Sequence, residues 1–177
     1  MEIRELKKKD IPELNKLLNS IVEEGIYFAR NKKRTLKEEK NLFENYLRKK
    51  NRKLMFVCLK NNEIVGFSSA TRKQGKRDHV WEISYCVKKE YRKMGLGSAL
   101  LSKLLDHLGD RNAEQIIAWV IEINKPSINL LSKYGFEETG RIKNGIKIGE
   151  NYCDYILFQK RNILAKSTKK TSPRTKK

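Results

Sequence analysis

The chain has 177 residues, of which 40 are Lys or Arg and 21 are Asp or Glu, so its formal net charge is +19. This length suits a single domain with a sizeable core. The longest run without a charged residue, from Met94 to Ser102, is far shorter than the roughly 20 apolar residues that span a bilayer. The charged N-terminus also lacks the apolar segment of a secretory signal, so we expect a cytoplasmic protein.

The cysteines and histidines offer little chemistry of their own. Cys58, Cys86 and Cys153 are odd in number, widely spaced and embedded in apolar runs, which predicts reduced thiols in the core. His79 and His107 are the two histidines, and Cys-x-x-Cys pairs are absent, so a metal site or a Ser/His/Asp triad has few groups to draw on. We therefore expect no metal cofactor.

Positive charge is concentrated at the C-terminal end of the sequence. Residues 160–177 carry eight Lys or Arg and no acidic residue, and large apolar side chains are absent from Ala165 onward. Such a segment cannot offset the entropy of ordering, so we predict a domain over residues 1–160 followed by a disordered tail over residues 161–177. The tail either serves solubility or is an arm that contacts RNA or the ribosome.

The first predicted elements are a short strand and two helices. The strand covers residues 2–6, and Asp10 caps a helix with apolar residues at helical spacing. A capping-box spacing from Thr35 to Glu38 opens the second helix. Between the two helices, the apolar and aromatic residues 25–29 either contact the core or line a pocket.

The remaining pattern predicts strands around a crossover helix. The predicted strands are 54–59, 64–71, 80–87, 115–121, 136–145 and 151–160, and the predicted helices are 95–108 and 126–134. The first two of these strands flank a tight turn and form a hairpin. The fully apolar strand 115–121 is typical of a buried parallel strand, with helix 95–108 as its crossover. The sequence thus predicts an α/β (α+β) fold, with a mixed central sheet of about six or seven strands and about four flanking helices.

The sharpest local feature is the segment from Arg92 to Ala99, which lies where a strand ends and a helix begins. Gly95 and Gly97 let the backbone come close to a ligand, and the free N–H groups of the first helical turn attract an anion. The helix dipole and the charges of Arg92 and Lys93 favour a pyrophosphate there. A Walker loop and a dinucleotide fingerprint do not fit, because Gly-Lys-Ser/Thr and a third glycine are missing.

The pattern Arg92-x-x-Gly95-x-Gly97 resembles the acetyl-CoA pyrophosphate loop of the GNAT N-acetyltransferases, Arg/Gln-x-x-Gly-x-Gly/Ala. Upstream of it, the segment 82–87 looks like the strand of that family that pairs with pantetheine. The resemblance implies the acyltransferase fold of the family and an acetyl-CoA cosubstrate.

A second family motif lies downstream. Asn124-x-x-Ser127 with the segment 129–136 resembles the N-x-x-S…L-Y-x-K-x-G-F motif, which contacts CoA. The motifs occur in family order, and the resemblance covers roughly residues 1–160. The likeness is nearest to the phosphinothricin-acetyltransferase-like and ribosomal-protein (Rim-type) branches, whose acceptors include small-molecule amines and protein N-termini or lysines.

The resemblance implies an N-acetyltransferase in which a primary amine attacks acetyl-CoA directly. Glu82 occupies the general-base position of the resembling branch, although a strand glutamate that faces solvent is the alternative. A backbone N–H near Cys86 or Val87 stabilises the oxyanion. The implied cofactor contacts come from Val87, Arg92, Lys93, Met94, Gly95, Leu96, Gly97, Ser98, Asn124, Ser127 and Lys133.

One position departs from the family pattern. Leu131 stands where many relatives have the tyrosine that protonates the departing thiolate, and leucine cannot donate a proton. Tyr134, Tyr85, Tyr152 or water are the alternatives. Leu131 and the basic tail together motivate a second hypothesis, a catalytically weakened CoA-binding or nucleic-acid- or ribosome-associated module with the same fold. The sequence does not name the amine acceptor, and it allows a homodimer.

Overall fold

A computed structural model of the chain describes residues 1–48, 50–111 and 113–161. The strands are β1 (Glu2–Glu5), β2 (Lys53–Lys60), β3 (Glu63–Arg72), β4 (Val80–Val87), β5 (Gln115–Ile121), β6 (Glu137–Ile148) and β7 (Asn151–Arg161). The helices are α1 (Ile11–Glu23), α2 (Leu36–Arg48), α3 (Leu96–Asp110) and α4 (Lys125–Lys133), and short 3₁₀ turns lie at Lys8–Asp10, Lys50–Arg52, Gly75–Arg77 and Lys89–Tyr91.

The seven strands form one mixed sheet in the order β1-β2-β3-β4-β5-β7-β6. β4 and β5 run parallel, and the other neighbouring strands run antiparallel. α3 connects the parallel pair, because parallel neighbours need a crossover and cannot be joined by a tight turn. The predicted α/β (α+β) fold with a mixed sheet and four flanking helices is confirmed, and β4 and β5 have the predicted bounds.

Each face of the sheet buries an apolar layer. On one face, leucines of α3 pack with Trp81, Ile116 and other strand residues. On the other face, residues of α1 and α2 pack with Val57, Phe67 and Cys86. All three cysteines are free, as predicted, but Cys153 in β7 is half-buried and lies outside both layers.

A glycine sets how closely α3 approaches the sheet. A Cβ atom added at Gly66 of β3 would lie 2.8 Å from Leu100 Cδ1 of α3. This distance is too short for two carbon atoms, so a larger residue would force the Leu100 side chain to shift. Gly66 therefore lets Leu100 of α3 pack directly against β3, beside the end of β4.

The predicted cap of α1 is wrong, whereas that of α2 is confirmed. The carboxylate of Asp10 accepts hydrogen bonds from Arg4 Nη1 (2.6 Å) and from the Lys7 N–H (2.7 Å), and it makes no cap bond to α1. Asp10 ends a 3₁₀ turn, which directs its side chain back toward β1, and these two bonds hold the pKa of Asp10 below its usual range. In α2, the Thr35 N–H donates to Glu38 Oε2 (2.7 Å) and the Glu38 N–H donates to Thr35 Oγ1 (3.3 Å).

The last strand, β7, ends one residue later than the predicted strand 151–160. Arg161, predicted to begin the tail, is the last residue of β7, where it opposes Gln115 of β5. The rest of the predicted tail lies outside the described residues. Within the described ranges, no helix has both the length and the apolar character needed to cross a membrane.

Candidate active site

The parallel strands β4 and β5 separate partway along their length. Their pairing begins at Val80 opposite Gln115 and ends at Glu82 opposite Ile117, although β4 continues to Val87. The separation leaves a gap in the sheet at the carboxyl ends of the parallel pair. This is the place where ligands bind in many open α/β sheets.

Backbone groups of β4 face the gap at alternate residues. The N–H of Lys88, just after β4, donates to the Val65 carbonyl on the β3 side (2.9 Å), so the other even-numbered residues, including Cys86, also face β3. The odd-numbered residues, including Tyr85 and Val87, turn their backbone groups toward the gap. Of the two backbone N–H groups predicted to stabilise the oxyanion, that of Val87 lies on the gap side and that of Cys86 on the β3 side.

Two adjoining hollows meet at this gap. The larger one, here called the α3 cleft, has a volume of about 410 Å³ and lies between the end of β4, the start of α3 and α4. The smaller one, here called the Glu82 cavity, has a volume of about 130 Å³ and is lined by Glu82, Trp119, Leu131 and Tyr155 among others. Both hollows share the lining residues Tyr27, Phe28, Tyr85, Asn124 and Ser127. The aromatic segment 25–29 therefore lines a pocket, one of the two roles that the sequence allows.

The loop before α3 forms an anion cradle. Lys93 and Gly95 both adopt left-handed conformations, with φ of 62° and 78°, and Gly95 provides no side-chain cap for the helix. The first backbone N–H of α3 to bond within this turn is that of Ala99, which donates to the Gly95 carbonyl (3.0 Å). The preceding N–H groups at the helix start have no acceptor within the helix, which leaves them available to an anion, and the pyrophosphate contact stays a prediction.

Most of the predicted cofactor residues line the α3 cleft. They are Val87, Arg92, Lys93, Gly95, Leu96, Gly97, Ser98, Asn124 and Ser127. Met94 and Lys133 do not belong to this lining: Met94 is 56% exposed, and Lys133 is exposed at the last residue of α4. Lys133 lies about two helical turns beyond Ser127, which takes it away from the cleft.

Arg92 lines the cleft, but its charge is paired within the protein. Its Nη1 donates to Glu24 Oε2 (2.6 Å), its Nη2 contacts the other Glu24 oxygen, and its Nε donates to the Val87 carbonyl (2.9 Å). The guanidinium also lies 4.5 Å from the ring centroid of Tyr27. The bond to Glu24 raises the pKa of Arg92. The sequence predicts that the charges of Arg92 and Lys93 favour a pyrophosphate, whereas in the structure a phosphate would compete with Glu24 for Arg92.

Glu82 faces the Glu82 cavity, and its side chain is 37% exposed. Its carboxylate contacts the ammonium of Lys73, which follows β3. Burial, and secondly the charge of Glu82, raise the pKa of Tyr155, whose ring stacks on Trp119 at 4.9 Å between centroids. Sequence reasoning missed Lys73, Trp119 and Tyr155, because Lys73 lies in a polar loop and the two aromatic residues are typical of core strands.

Cys86 does not supply a reactive thiolate. Its side chain is buried in the layer beneath α1 and α2, and burial raises its pKa to about 12. The thiol is therefore protonated at neutral pH, and a protonated thiol is a poor nucleophile. The sulfur of Cys86 is therefore no nucleophile, and its backbone N–H, which faces β3, does not face the gap.

Hydroxyl groups line the junction of the two hollows. The Tyr85 hydroxyl is hydrogen-bonded to Ser127 Oγ (2.8 Å), and burial raises the pKa of Tyr85 to about 12. Leu131 is fully buried and lines the Glu82 cavity. Asn124 caps α4 by accepting a hydrogen bond from the Ser127 N–H at its Oδ1 (3.3 Å).

The other two candidate tyrosines lie elsewhere. The Tyr134 hydroxyl is hydrogen-bonded to Ser98 Oγ (2.7 Å) and donates to the Ser98 carbonyl (3.0 Å). Tyr152 is 60% exposed on β7 and lines neither the α3 cleft nor the Glu82 cavity. Of the three tyrosines considered as proton donors, Tyr85 is the one that lines both hollows.

Known proteins share this sequence pattern and fold. The chain matches the acetyltransferase (GNAT) family over residues 17–136. It is 31% identical over 108 residues to an N-alpha-acetyltransferase of Sulfurisphaera tokodaii, and the alignment covers 54% of this chain and 64% of that relative. The chain spans two thirds or less of the length of the curated relatives it matches.

Two crystal structures extend the comparison to nearly the whole chain. The ribosomal-protein-alanine N-acetyltransferase of Brucella melitensis is 26% identical with a TM-score of 0.85, covering 92% of this chain and 100% of that one. A phosphinothricin acetyltransferase of Sinorhizobium meliloti in complex with acetyl-CoA shares the fold at 21% identity and a TM-score of 0.82, covering 90% of this chain and 87% of that one. With the family match over more than half of its length, the chain belongs to the GNAT acetyltransferase family.

Proposed function

We propose that the protein transfers the acetyl group of acetyl-CoA to the nitrogen of a primary amine, with Glu82 as the general base. The observation that carries this proposal is the junction of the two hollows at the β4–β5 gap. An anion cradle lies in the α3 cleft, a carboxylate lies in the Glu82 cavity, and five residues line both. A thioester at the junction would face both the cradle and the carboxylate.

The residues of the α3 cleft fit acetyl-CoA. The free N–H groups at the start of α3 suit a pyrophosphate, because backbone donors and the helix dipole both favour an anion there. The backbone groups of Tyr85 face the gap beyond the end of the β4–β5 pairing and suit the amide groups of a pantetheine arm, whereas the Val87 carbonyl already accepts a hydrogen bond from Arg92. Acetyl-CoA supplies the activated thioester when it is bound.

The Glu82 cavity then holds the amine. Glu82 accepts a proton from the acceptor ammonium, directly or through a water molecule, which exposes the nitrogen lone pair for attack. The Val87 N–H on the gap side stabilises the negative charge that develops on the thioester carbonyl oxygen. Lys73 contacts the carboxylate of Glu82, so an acceptor ammonium must displace Lys73 or share the carboxylate with it.

The acceptor is proposed to be the amino group of a small molecule, a protein N-terminus or a lysine. A volume of about 130 Å³ accommodates the amine-bearing end of such a molecule and leaves the rest outside. The names of similar proteins support amines of this kind, since one is an N-alpha-acetyltransferase and another a ribosomal-protein-alanine N-acetyltransferase.

Thiol release tests the proposal. The purified protein is incubated with acetyl-CoA and a panel of amines that includes amino acids, peptides with free N-termini and lysine side chains, and free CoA is measured with a thiol reagent. We expect release that depends on at least one acceptor. Binding of acetyl-CoA without acceptor-dependent release across the panel would instead support the catalytically weakened CoA-binding module.

A further inference from the structure

We propose that Tyr85, hydrogen-bonded to Ser127, donates the proton that the departing CoA thiolate takes up. This inference rests on the proposed acetyl transfer and assigns the step for which Leu131 has no donor. It adds a catalytic hydroxyl on β4 to a reaction whose base, Glu82, lies on the same strand.

The first argument is the position of Tyr85. It is an odd-numbered residue of β4, so its backbone faces the gap, and its side chain lines both the α3 cleft and the Glu82 cavity. A thioester sulfur joins a pantetheine arm in the cleft to an acetyl group beside the amine in the cavity. The sulfur must therefore lie at the junction that Tyr85 lines.

The second argument is the geometry of α4. Ser127 and Leu131 are four residues apart, so they lie on the same face of the helix, one turn from each other. Both line the Glu82 cavity. The Tyr85 hydroxyl, 2.8 Å from Ser127 Oγ, thus reaches from the opposite wall to the helix face that carries Leu131. A proton donor on β4 can therefore reach the same region of the cavity as a tyrosine at position 131 would.

The third argument excludes the other hydroxyls. Tyr134 lines neither hollow, and its hydroxyl bonds to Ser98 in the first turn of α3. Tyr152 is exposed on β7. Among the residues that line both hollows in the described part of the chain, the hydroxyls are those of Tyr27, Tyr85 and Ser127, and the Tyr27 ring is held against the guanidinium of Arg92.

The proposed step balances its protons. The acceptor ammonium first gives one proton to Glu82, which passes it to water. The amine nitrogen then bonds to the thioester carbon, the carbon–sulfur bond breaks, and the nitrogen loses a second proton through Glu82 to water. The sulfur takes the hydroxyl proton of Tyr85, and Tyr85 recovers a proton through Ser127 from water in the cleft. The products are an amide, the CoA thiol and one proton released from the acceptor ammonium. Burial raises the pKa of Tyr85 to about 12, so the hydroxyl carries its proton at neutral pH and presents it to the departing sulfur.

A binding experiment tests the proposed contact between the Tyr85 hydroxyl and the CoA sulfur, and it does not require turnover. Calorimetry measures the affinity of the protein for CoA and for desulfo-CoA, in which hydrogen replaces the thiol, across pH values from about 6 to about 10, around the usual thiol pKa of about 8.5. We expect wild-type affinity for CoA to increase by about tenfold as the thiol ionises, and affinity for desulfo-CoA to stay flat. Tyr85→Phe should abolish the pH dependence for CoA and leave desulfo-CoA binding unchanged.

Matched variants sharpen this test. Tyr152→Phe makes the same chemical change on β7 and should behave as wild type. Ser127→Ala should reduce the pH dependence in part, and it tests the same contact if Tyr85→Phe does not fold. Persistence of the full pH dependence in both Tyr85→Phe and Ser127→Ala, or its loss in Tyr134→Phe alone, overturns the proposal.

Turnover provides the second readout. We expect Tyr85→Phe to lower kcat by about 10- to 100-fold with the Kd of acetyl-CoA unchanged, and Leu131→Tyr to restore part of that loss in the same background. A folded double variant that is no faster than Tyr85→Phe counts against the assignment. If wild type releases no thiol with any acceptor, the proposed function fails, whereas the CoA and desulfo-CoA measurements still decide the Tyr85 contact.

Discussion

The α3 cleft and the Glu82 cavity meet at one gap but are built from different parts of the chain. The groups of the cleft that we propose to bind the ligand are mainly backbone N–H groups of one continuous segment around Gly95 and Gly97. The Glu82 cavity is lined by side chains from β4, β5, β7, α4 and the segment 25–29. A backbone site depends on chain conformation and tolerates many side chains, whereas a side-chain site changes its chemistry with a single substitution.

The largest effect is expected in the Glu82 cavity. Glu82→Gln preserves size and hydrogen bonding but removes the basic carboxylate, so turnover should fall by roughly 10²–10⁴-fold. Binding of acetyl-CoA should persist, because the α3 cleft is unchanged. Steady-state thiol release and calorimetry measure the two quantities separately.

A matched control is Glu13→Gln, which removes a carboxylate of α1 that pairs with Lys16 at the surface. It should leave both quantities unchanged. If Glu82→Gln keeps full activity across pH, Glu82 is a strand residue without a catalytic role.

The next largest effect is expected in the α3 cleft. A Cβ atom at Gly97 would lie 3.4 Å from Leu130 Cδ2, an ordinary contact, so Gly97→Ala should keep acetyl-CoA affinity. Gly97→Val adds branches that enter the cleft at the helix start, and we expect affinity to fall by at least about tenfold. Calorimetry on the two folded variants measures their affinities for acetyl-CoA. Equal affinities would contradict the proposal that the pyrophosphate binds at Gly97.

A smaller effect is expected at the contact between the α3 cleft and α1. Glu24→Gln removes the carboxylate that pairs with Arg92, so Arg92 becomes available to a phosphate. We expect acetyl-CoA to bind about two- to fivefold more tightly at low salt, with the gain lost at high salt because screening weakens charge interactions. Titrations at two ionic strengths measure it.

The matched control is Glu23→Gln, which makes the same charge change one residue earlier, where the carboxylate pairs with Lys33. An equal gain in both variants would indicate a general charge effect. Weaker binding in Glu24→Gln would instead indicate that Arg92 acts by holding the loop before α3 to α1.

The smallest effect on either hollow is expected from the C-terminal segment. Truncation after Asn162 should leave turnover within about twofold of the full chain and the melting temperature within a few degrees, because β7 ends at Arg161. If the segment is a polyanion-binding arm, RNA binding should weaken on truncation and fall steeply with salt in the full chain. Equal RNA binding by both forms would reject the arm, and a large drop in melting temperature would place the domain boundary later.

Local patterns predicted most of the elements and the loop of the α3 cleft. The apolar runs of β4 and β5 match the observed strands residue for residue, because strand propensity and burial are encoded over a few consecutive residues. Gly95 and Gly97 are close in sequence, and a cradle made of consecutive backbone groups is visible as a motif. The local pattern gave a wrong prediction at Asp10. Its carboxylate accepts a hydrogen bond from Arg4, six residues earlier, and does not cap the helix α1 that follows it.

The sequence by itself determined the fold class, the position of Glu82 on β4 and the position of the glycine-containing loop at the start of α3. Only the tertiary structure decided that Arg92 pairs with Glu24, which lies 68 residues away, and that Tyr85 bonds to Ser127, 42 residues away. The physical reason is that a hydrogen bond between distant side chains depends on how packed elements place them, and no periodicity along the chain records that placement. Tertiary packing therefore selects the hydrogen-bond partners of the charged and hydroxyl groups in the candidate site. The loop at the start of α3, by contrast, can be recognised from consecutive residues.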